Sequence, residues 1–458
     1  MRTNVATKFT ETTHEGARAA RMNDEQALRR SVMACMLWED EFYEDGETIA
    51  KRIATLAASL PFEKVAAIAV EAREQMKLRH APLWLVVAIL KAKHQGRKVG
   101  DLIARVCQRA DEPAELLSLY WKDQPQAPLP KQLKLGLARA LGKFDEHQLA
   151  KHNRDGAVKL RDVMFLAHAK PHNEERAALY KRIAENTLAT PDTWEVALSG
   201  GADKKETFLR LMAEGNLGGL AFLRNLRNMK ESGVTKKEVL AYMDKADFRR
   251  VLPFRFVAAA SAVPGWEDAV EIGFLRGTSQ ALKLSGKTVI IVDVSGSMYS
   301  GGNVSKRSDM TRVHVAGALA AIGREICEEV SLYATAGSDA ARIHATEEAP
   351  ARRGMALVEC FTRQDLCRKL GGGGIFLTQC MDFVAKREKS ADRVIVLTDE
   401  QDCDHKLTPE KANAFGARNY LINVASNKNG IGYGKWTHID GWSESVIDYI
   451  RATEGAPQ

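Results

Sequence analysis

Residues 289–298 constrain the fold more than any other segment of the chain; they read Val-Ile-Ile-Val-Asp-Val-Ser-Gly-Ser-Met. Four consecutive β-branched apolar residues predict a strand that is buried on both faces, as the strands of parallel sheets are. The polar residues after it must then lie at the carboxyl end of that strand, where α/β sheets bind their ligands. The segment therefore predicts an α/β domain with a binding site at this edge of its sheet.

The polar residues of this segment have the spacing of a cation site. Asp293, Ser295 and Ser297 alternate along the chain, so their oxygens can converge on one side and meet a hard cation that prefers oxygen ligands. Asp-x-Ser-x-Ser after an apolar strand is the signature of the metal-ion-dependent adhesion site of von Willebrand A-like domains. In the alternative interpretation, Asp293 only caps the helix that follows a Ser/Gly-rich turn. We predict a divalent cation here, of the Mg²⁺ type.

Two further residues are candidate ligands for the same cation. Asp399 directly follows the apolar segment 394–397, so it would lie at the carboxyl end of a second strand and reach the cation through water or from its outer shell. Thr378 follows the glycine run 371–374 and would give a third hydroxyl. Helix capping is the alternative explanation for both residues.

The chain after Gly286 alternates between strand-like and helix-like segments, which predicts a doubly wound open sheet. The predicted strands are 288–293, 330–335, 342–345, 394–398 and 420–424, and the predicted helices are 309–326, 378–386 and 443–450. This region is the predicted von Willebrand A-like domain, over residues 287–458.

Residues 47–282 read as a series of short amphipathic helices. Apolar residues recur at helical spacing, as at Ile49 and Ile53, and prolines or glycines separate the segments. Short helices joined by short turns predict a stacked helical repeat in which each pair buries its apolar face on the next. The segments are too dissimilar to give a period, so a plain helical bundle stays open. The helical domain is predicted over residues 1–286.

The positive charge of the chain is concentrated in its helical part. The formal net charge is +7, and residues 51–250 alone contain 36 basic and 24 acidic side chains. Such a concentrated positive field attracts a polyanion such as nucleic acid, although a solvated surface is the commoner meaning of surplus lysine.

Two basic stretches are candidate nucleic-acid contacts, because lysine, arginine and histidine suit phosphates and base edges. Residues 151–171 surround an apolar helix face, predicted to be Leu160, Val163, Met164 and Leu166. Residues 224–229 place two arginines three apart on one helix face. The candidate residues are Lys151, Arg154, His168, Lys170, Arg224 and Arg227. The alternative for His168 is a half-buried side chain whose hydrogen bonds are satisfied within the protein. The alternative for the arginines is a solvated helix face without a ligand.

The sequence predicts a soluble, cytosolic protein. No stretch approaches the roughly 18 apolar residues that a membrane span needs, and the first ten residues contain no apolar signal region. Seven cysteines, an odd number without a Cys-x-x-Cys pair, suit a reducing compartment.

Catalysis is the weaker hypothesis, and we predict that the protein is not an enzyme. The segment Gly286-Lys287-Thr288 is not a phosphate loop, because Ala281 stands where that motif needs glycine and the segment precedes a strand instead of following one. No Ser-His-Asp or paired-glutamate arrangement is evident.

Several landmarks together resemble the Ro (TROVE-domain) RNA-binding proteins over nearly the whole chain. They occur in the family's order: Phe42-Tyr43, Leu160-Arg161-Asp162-Val163, His168-Ala169-Lys170-Pro171, Leu223-Arg224-Asn225-Leu226, Leu252-Pro253-Phe254-Arg255 and the Asp-Val-Ser-Gly-Ser-Met motif. The resemblance implies a ring of HEAT-like helical repeats closed by the von Willebrand A-like domain. It further implies that ends of misfolded noncoding RNA bind in the hole and Y-type RNA on the outer basic surface. Lys151, Arg154 and His168 look like the family's RNA-contacting positions.

The glycine run departs from the family pattern. The family usually has threonine directly after the paired glycines, whereas Gly373-Gly374 is followed here by Ile375, and Thr378 comes three residues later. Either the loop shifts to present Thr378, or the cation has one protein ligand fewer.

The sequence thus favours a monomeric RNA-binding scaffold in RNA quality control, with noncoding RNA and an exoribonuclease or another protein as partners. The rival is a von Willebrand A adaptor that binds a protein such as an AAA+ ATPase through the cation. A weaker third hypothesis is a metal-assisted nuclease.

Overall fold

The structure is a computed structural model that describes most of the chain. The described residues are 12–33, 45–92, 98–153, 156–248, 251, 254–279, 283–300, 302–304, 310–404, 414–425, 430–432, 434–439, 441 and 446–454. The chain forms two compact units, Ala50–Leu217 and Met1–Ile49 with Gly218–Gln458. Compactness thus groups the last helices of the helical region with the sheet, and the boundary between the domains 1–286 and 287–458 stays a prediction.

Helices fill the described part of the chain up to the sheet, as the sequence predicts. They are α1 (Asp24–Met33), α2 (Gly46–Ser59), α3 (Phe62–Val70), α4 (His80–Lys91), α5 (Lys98–Val106), α6 (Glu112–Tyr120), α7 (Lys131–Leu141), α8 (Glu146–His152), α9 (Leu160–Leu166), α10 (Glu174–Glu185), α11 (Trp194–Ser199), α12 (Lys204–Ala213), α13 (Gly219–Glu231), α14 (Lys236–Met243), α15 (Phe254–Ala262) and α16 (Glu267–Ser279). A π-helical segment, Glu71–Gln75, follows α3. None of the described helices is long and apolar enough to cross a membrane.

Local sequence signals begin many of these helices. Asp145 and Gln148 form a capping box at α8, and Thr235 and Glu238 form one at α14. In each box the N-cap side chain accepts from a backbone N–H three residues on, which satisfies a donor that the first helical turn leaves unpaired. Asn173 caps α10 in the same way.

Ion pairs connect helices that are about one helix pair apart in the sequence. Within the first unit, Arg105 binds Glu74 from 31 residues away, Lys91 binds Asp123 over 32, and Arg182 binds Glu146 over 36. Arg139 likewise pairs with Asp101, 38 residues before it. A recurrent separation of this size is typical of stacked helix pairs, each of which contacts its neighbours in the array.

The sheet has six strands in the order β3-β2-β1-β4-β5-β6, all parallel except β3. The strands are β1 (Leu284–Asp293), β2 (Cys327–Ser338), β3 (Ile343–Glu348), β4 (Ala391–Thr398), β5 (Gly416–Asn423) and β6 (Thr437–Ile439). The helices of this region are α17 (Gly296–Ser300), α18 (Arg312–Ile326), α19 (Gly354–Thr362), α20 (Gln364–Lys369), α21 (Leu377–Glu388) and α22 (Val446–Thr453). The predicted strands are confirmed, whereas α17, α19, α20 and the short β6 were not predicted.

Helices cover both faces of this sheet. Ile290 of β1 packs against Gly323 of α18, where a Cβ would lie 2.4 Å from the isoleucine. The next residue, Ile291, belongs to a buried cluster with Leu377 and Met381 of α21. Because successive residues of a strand point to opposite faces, α18 and α21 lie on opposite sides of the sheet. The predicted doubly wound arrangement is therefore present.

The thiols follow the expectation of a chain without disulfides. The six cysteines that the structure describes are all free: Cys107, Cys327, Cys360, Cys367, Cys380 and Cys403. Burial raises the pKa of the Cys107 thiol and, to about 11, that of Cys380, so these two are core residues that resist ionisation.

Candidate cation site and basic surface

Asp293 ends the central strand β1 at the point where the strand order reverses. From β1 the sheet continues to β2 on one side and to β4 on the other, which opens a crevice at the carboxyl ends of the strands. The Asp293 carboxylate is fully buried. One of its oxygens accepts from the Thr398 hydroxyl at 2.6 Å, and the other accepts from the Ser295 backbone N–H at 2.8 Å.

The two motif serines lie together, as the sequence predicts. Their Oγ atoms, on Ser295 and Ser297, are 3.3 Å apart. The backbone N–H of Gly296, between them, donates to the carbonyl of Gly373 at 3.1 Å. The glycine run is therefore in direct contact with the motif, although the two are more than 70 positions apart in the sequence.

Close packing explains the glycine run. Gly371 has φ +97°, and a Cβ there would lie 2.5 Å from the carbonyl oxygen of Gly337 at the end of β2. A Cβ on Gly374 would overlap the Cys403 sulfur. Larger residues would push this loop away from the motif, because neither the backbone conformation nor the space admits a side chain.

Ile375 and Thr378 have different surroundings. Ile375 is fully buried in the core cluster on the α21 face of the sheet and bridges to Asp402, so its side chain is a core residue. Thr378 lies in the first turn of α21 and is buried. Among the described residues, its hydroxyl has no hydrogen-bond partner, so the hydroxyl is available to a cation. Whether Thr378 completes the ligand set stays a prediction.

Asp399 is buried beside an arginine that the sequence analysis missed. Its Oδ1 accepts from the Gln401 backbone N–H at 3.2 Å, and its Oδ2 lies 3.7 Å from Nη1 of Arg312. The same guanidinium donates to the carbonyl of Ser297 at 3.2 Å. Arg312 is the first residue of α18, where the helix dipole disfavours a cation; that mismatch is the signal that could have identified it.

The site has the charge and the donor atoms for a hard cation. Burial, and then the charge of Asp399, raise the pKa of Asp293 to about 7, against the hydrogen bonds from Thr398 and Ser295. Among the described residues, no group of three or more His, Cys, Asp or Glu side chains is placed so that it could hold a metal ion by itself. A cation here would therefore be held by two carboxylates, hydroxyls and water, which is the chemistry of Mg²⁺.

A buried ion-pair network lies next to Asp399. Glu400 has φ +61° and is fully buried; its carboxylate binds the guanidinium of Arg30 in α1 and the ring of His438 after β5. Burial alone would raise the pKa of Glu400, but the charges and hydrogen bonds of Arg30 and His438 lower it to about 2. The Glu400 backbone N–H donates to the Thr398 hydroxyl at 3.0 Å, so the network continues to Asp293.

The N-terminal segment is held against the same loop by further bonds. The Thr13 hydroxyl donates to the carbonyl of Asp402 at 3.1 Å, and the His14 N–H donates to Gln401 Oε1 at 2.6 Å. Residues 12–33 are thus an integral part of the sheet's carboxyl end, a role that their sequence did not predict.

The first basic stretch is only partly as predicted. Leu160, Val163 and Met164 of α9 are buried as expected, but Leu166 is exposed. Lys151 is half-buried in the last turn of α8, and His168 and Lys170 are exposed. Arg154 lies outside the described residues.

His168 ends α9 in a strained conformation. Its φ is +52°, in the left-handed region that few residues other than glycine adopt. Its N–H donates to Phe165 O at 3.1 Å and the N–H of Ala169 donates to Met164 O at 3.0 Å, which is the hydrogen-bond pattern of a Schellman motif. We call the exposed residues around this turn the α9 surface: Arg161, Phe165, Leu166, His168, Lys170 and His172.

The basic side chains of the α9 surface have no ionic partner in the part of the chain that the structure describes. Unlike Arg105, Arg139 and Arg182, the basic side chains of the α9 surface form no ion pair with any residue that the structure describes. The charges of Arg161 and Lys170 are consequently available to an external anion.

The second stretch, in α13, belongs to the other compact unit. Arg224 and Arg227 are both exposed, as predicted, and Arg227 Nε donates to the Ala262 carbonyl at 3.4 Å. Asn225 is buried and donates to the Ala221 carbonyl at 2.8 Å, so its side-chain amide is engaged within α13 itself.

Comparisons with known proteins agree with the resemblance drawn from the sequence. Residues 171–271 match the TROVE domain family; this range contains Arg224 and Arg227 and begins directly after Lys170. The crystal structure of the Ro (RSR) protein of Deinococcus radiodurans has a similar fold, with a TM-score of 0.60 and 16% sequence identity. The likeness covers 94% of this chain and 99% of that chain. The search of curated proteins gave no match.

Proposed function

We propose that this chain, a TROVE-domain protein with the fold of the Ro proteins, is an RNA-binding scaffold. The observation that carries the proposal is the α9 surface, where four basic side chains are exposed and unpaired among the described residues. Elsewhere in the same compact unit, arginines at comparable exposure are neutralised by carboxylates one helix pair away. Cations that have no ionic partner among the described residues can bind the phosphates of a nucleic acid.

The RNA that we propose is noncoding and structured, with a single-stranded end. The predicted contacts are Lys151, Arg154, His168, Lys170, Arg224 and Arg227. Misfolded RNA ends would bind in the hole of a HEAT-like ring and Y-type RNA on its outer surface, as the family resemblance implies. The protein would act as a cytoplasmic, monomeric, non-enzymatic scaffold in RNA quality control or ribonucleoprotein assembly, and an exoribonuclease is a candidate partner.

We further propose that the sheet edge is the metal-ion-dependent adhesion site of a von Willebrand A-like domain. Asp293, Ser295, Ser297 and Thr378 would hold Mg²⁺ and Asp399 would support it through water. A bound cation would supply positive charge at the crevice and accept an oxygen ligand from a partner protein. The buried carboxylate of Asp293 supports this proposal, because it would gain a counter-charge, whereas Asp399 already lies 3.7 Å from the guanidinium of Arg312.

A binding series would test the RNA proposal. Fluorescence anisotropy with a labelled hairpin that has a single-stranded 3′ tail should show tighter binding than with the same hairpin without a tail. Because nonspecific electrostatic binding gives a Kd of about 10⁻⁴–10⁻⁶ M at physiological salt, specific binding should be clearly tighter. Equal, weak binding of both RNAs would contradict the proposal.

The second candidate function is a protein-interaction adaptor, favoured by the buried acidic site at the sheet edge. If the chain binds no RNA but retains a protein partner only when Mg²⁺ is present and Asp293 is intact, the adaptor becomes the better account. Cleavage of the labelled RNA with Mg²⁺ or Mn²⁺, lost in Asp293→Ala, would instead indicate a nuclease.

A further inference from the structure

The α9 surface contains an exposed aromatic side chain, Phe165. Phe165 is 54% exposed, whereas Phe208, Phe222 and Phe274 are fully buried. It is the one exposed phenylalanine among the residues whose side chains are described. Large apolar side chains are commonly buried, so an exposed aromatic ring in a charged setting is an informative exception.

The geometry of α9 fixes this exposure. Leu160, Val163, Met164 and Ala167 follow the i, i+3, i+4, i+7 pattern and are all buried. Leu160 and Met164 belong to a cluster with Phe144 and Tyr180, which anchors the helix. Phe165 stands on the opposite side of that helix, so rotation of the helix cannot bury it without exposing the anchors.

The neighbours of Phe165 on this side are basic. Arg161 lies one turn before it on the same helix face, and His168 lies three residues after it. Lys170 and His172 follow in the exposed segment after the left-handed turn.

Few carboxylates compete for these cations. Asp162 is engaged in accepting from the Lys159 backbone N–H at 2.9 Å. Glu174 and Glu175 lie at the N-terminus of α10, where the helix dipole favours their charge. Exposed acids therefore begin only beyond His172 in this segment.

We propose that Phe165 is a stacking platform for an unpaired base of single-stranded RNA. Every base has a π-face that stacks on an aromatic ring, and only an unpaired base exposes that face to a side chain. Arg161 and Lys170 bind the flanking phosphates, so ring and cations together recognise a flexible single strand. The inference rests on the proposed RNA-binding function and adds to it the reason why single strands are chosen.

The decisive comparison uses two tails on one hairpin. One tail is ordinary RNA and the other has abasic riboses at the same positions. Phe165→Leu keeps an apolar side chain but loses the aromatic face, and should lower affinity for the ordinary tail about 10-fold or more. It should leave affinity for the abasic tail and the slope of log affinity against log salt unchanged, because no phosphate contact is lost.

A second variant gives a direct optical readout. Phe165→Trp preserves the stacking face, so it should retain wild-type affinity and gain a fluorescence component that the ordinary tail quenches and the abasic tail does not. Thermal melting should show both variants folded like wild type, because the side chain is exposed.

The outcomes separate this inference from the proposed function. If wild type binds the tailed hairpin tightly and Phe165→Leu binds both tails as wild type does, only the stacking platform is overturned. If wild type binds no RNA, both fail. Self-association of RNA-free wild type that Phe165→Leu abolishes would assign the ring to a protein contact, and would overturn the inference as well.

Discussion

Charged side chains are used in opposite ways at the carboxyl end of the sheet and on the α9 surface. At the sheet, Asp293, Asp399, Glu400, Arg30 and Arg312 are buried, and each is bound by an opposite charge or a hydrogen-bond donor. On the α9 surface the cations are exposed and have no ionic partner among the described residues. A buried charge must be satisfied inside the protein because its desolvation is costly, whereas an exposed cation stays available to a ligand.

The largest effect on stability is expected at the buried ion-pair network. Arg30→Met should lower the free energy of unfolding by about 3–5 kcal/mol, because it leaves the Glu400 carboxylate buried without its main counter-charge. The unit that contains the sheet should therefore melt at a lower temperature. Differential scanning calorimetry would measure this.

The matched control is an exposed pair. Arg105 is 56% exposed in its pair with Glu74, so Arg105→Met should cost at most about 1 kcal/mol. Equal losses in both variants would mean that burial does not distinguish the two kinds of ion pair.

Acid should disrupt the same ion-pair network. The pKa of Glu400 is lowered to about 2 in the folded protein from its ordinary 4.5, so it contributes stability above about pH 4.5 that is lost as the pH falls toward 2. Glu400→Gln should flatten the decrease of stability in this range. An exposed-site control, Glu175→Gln, should keep the wild-type slope; a Glu400→Gln curve with the wild-type slope would contradict the prediction.

Mg²⁺ should stabilise the protein through Asp293. A ligand that binds only the folded state adds about 2.7 kcal/mol at one hundred times its Kd, so wild type should melt higher with Mg²⁺ present. Since burial raises the pKa of Asp293 from 3.8 to about 7, the folded state favours the protonated, neutral carboxyl group, and this contribution to stability is lost as the pH rises through about 7. A cation reverses that loss, and its effect should be larger at pH 8 than at pH 6.

Asp293→Asn should abolish the Mg²⁺-induced shift, and Asp365→Asn, at an exposed position in the same unit, should keep it. Equal Mg²⁺-induced shifts of the melting temperature in the Asp293 and Asp365 variants would contradict a cation site at Asp293.

The features that the sequence predicted are those that depend on a local pattern of residues. The structure confirms the strand at 289–293 and three of the four residues predicted for the buried face of α9; the fourth, Leu166, is exposed. An arginine at the first position of α18 is an unusual feature of the sequence, but its pairing with Asp399 could not be predicted, because the contact depends on how α18 packs. The exposure of Phe165 could not be predicted either, because the sequence does not show whether a neighbouring element covers the side of α9 opposite its buried residues.

The salt dependence of RNA binding tests the central claim, that unpaired cations on the α9 surface contact phosphates. The test variant is Arg161→Gln with Lys170→Gln, and the control is Arg105→Gln with Arg139→Gln, which removes the same charge from paired positions. The account predicts that the test variant binds the tailed hairpin more weakly and flattens the slope of log affinity against log salt by about 1.4, at roughly 0.7 for each lost contact to single-stranded RNA. The control should keep the wild-type slope. Equal slopes for the two double variants would contradict the account.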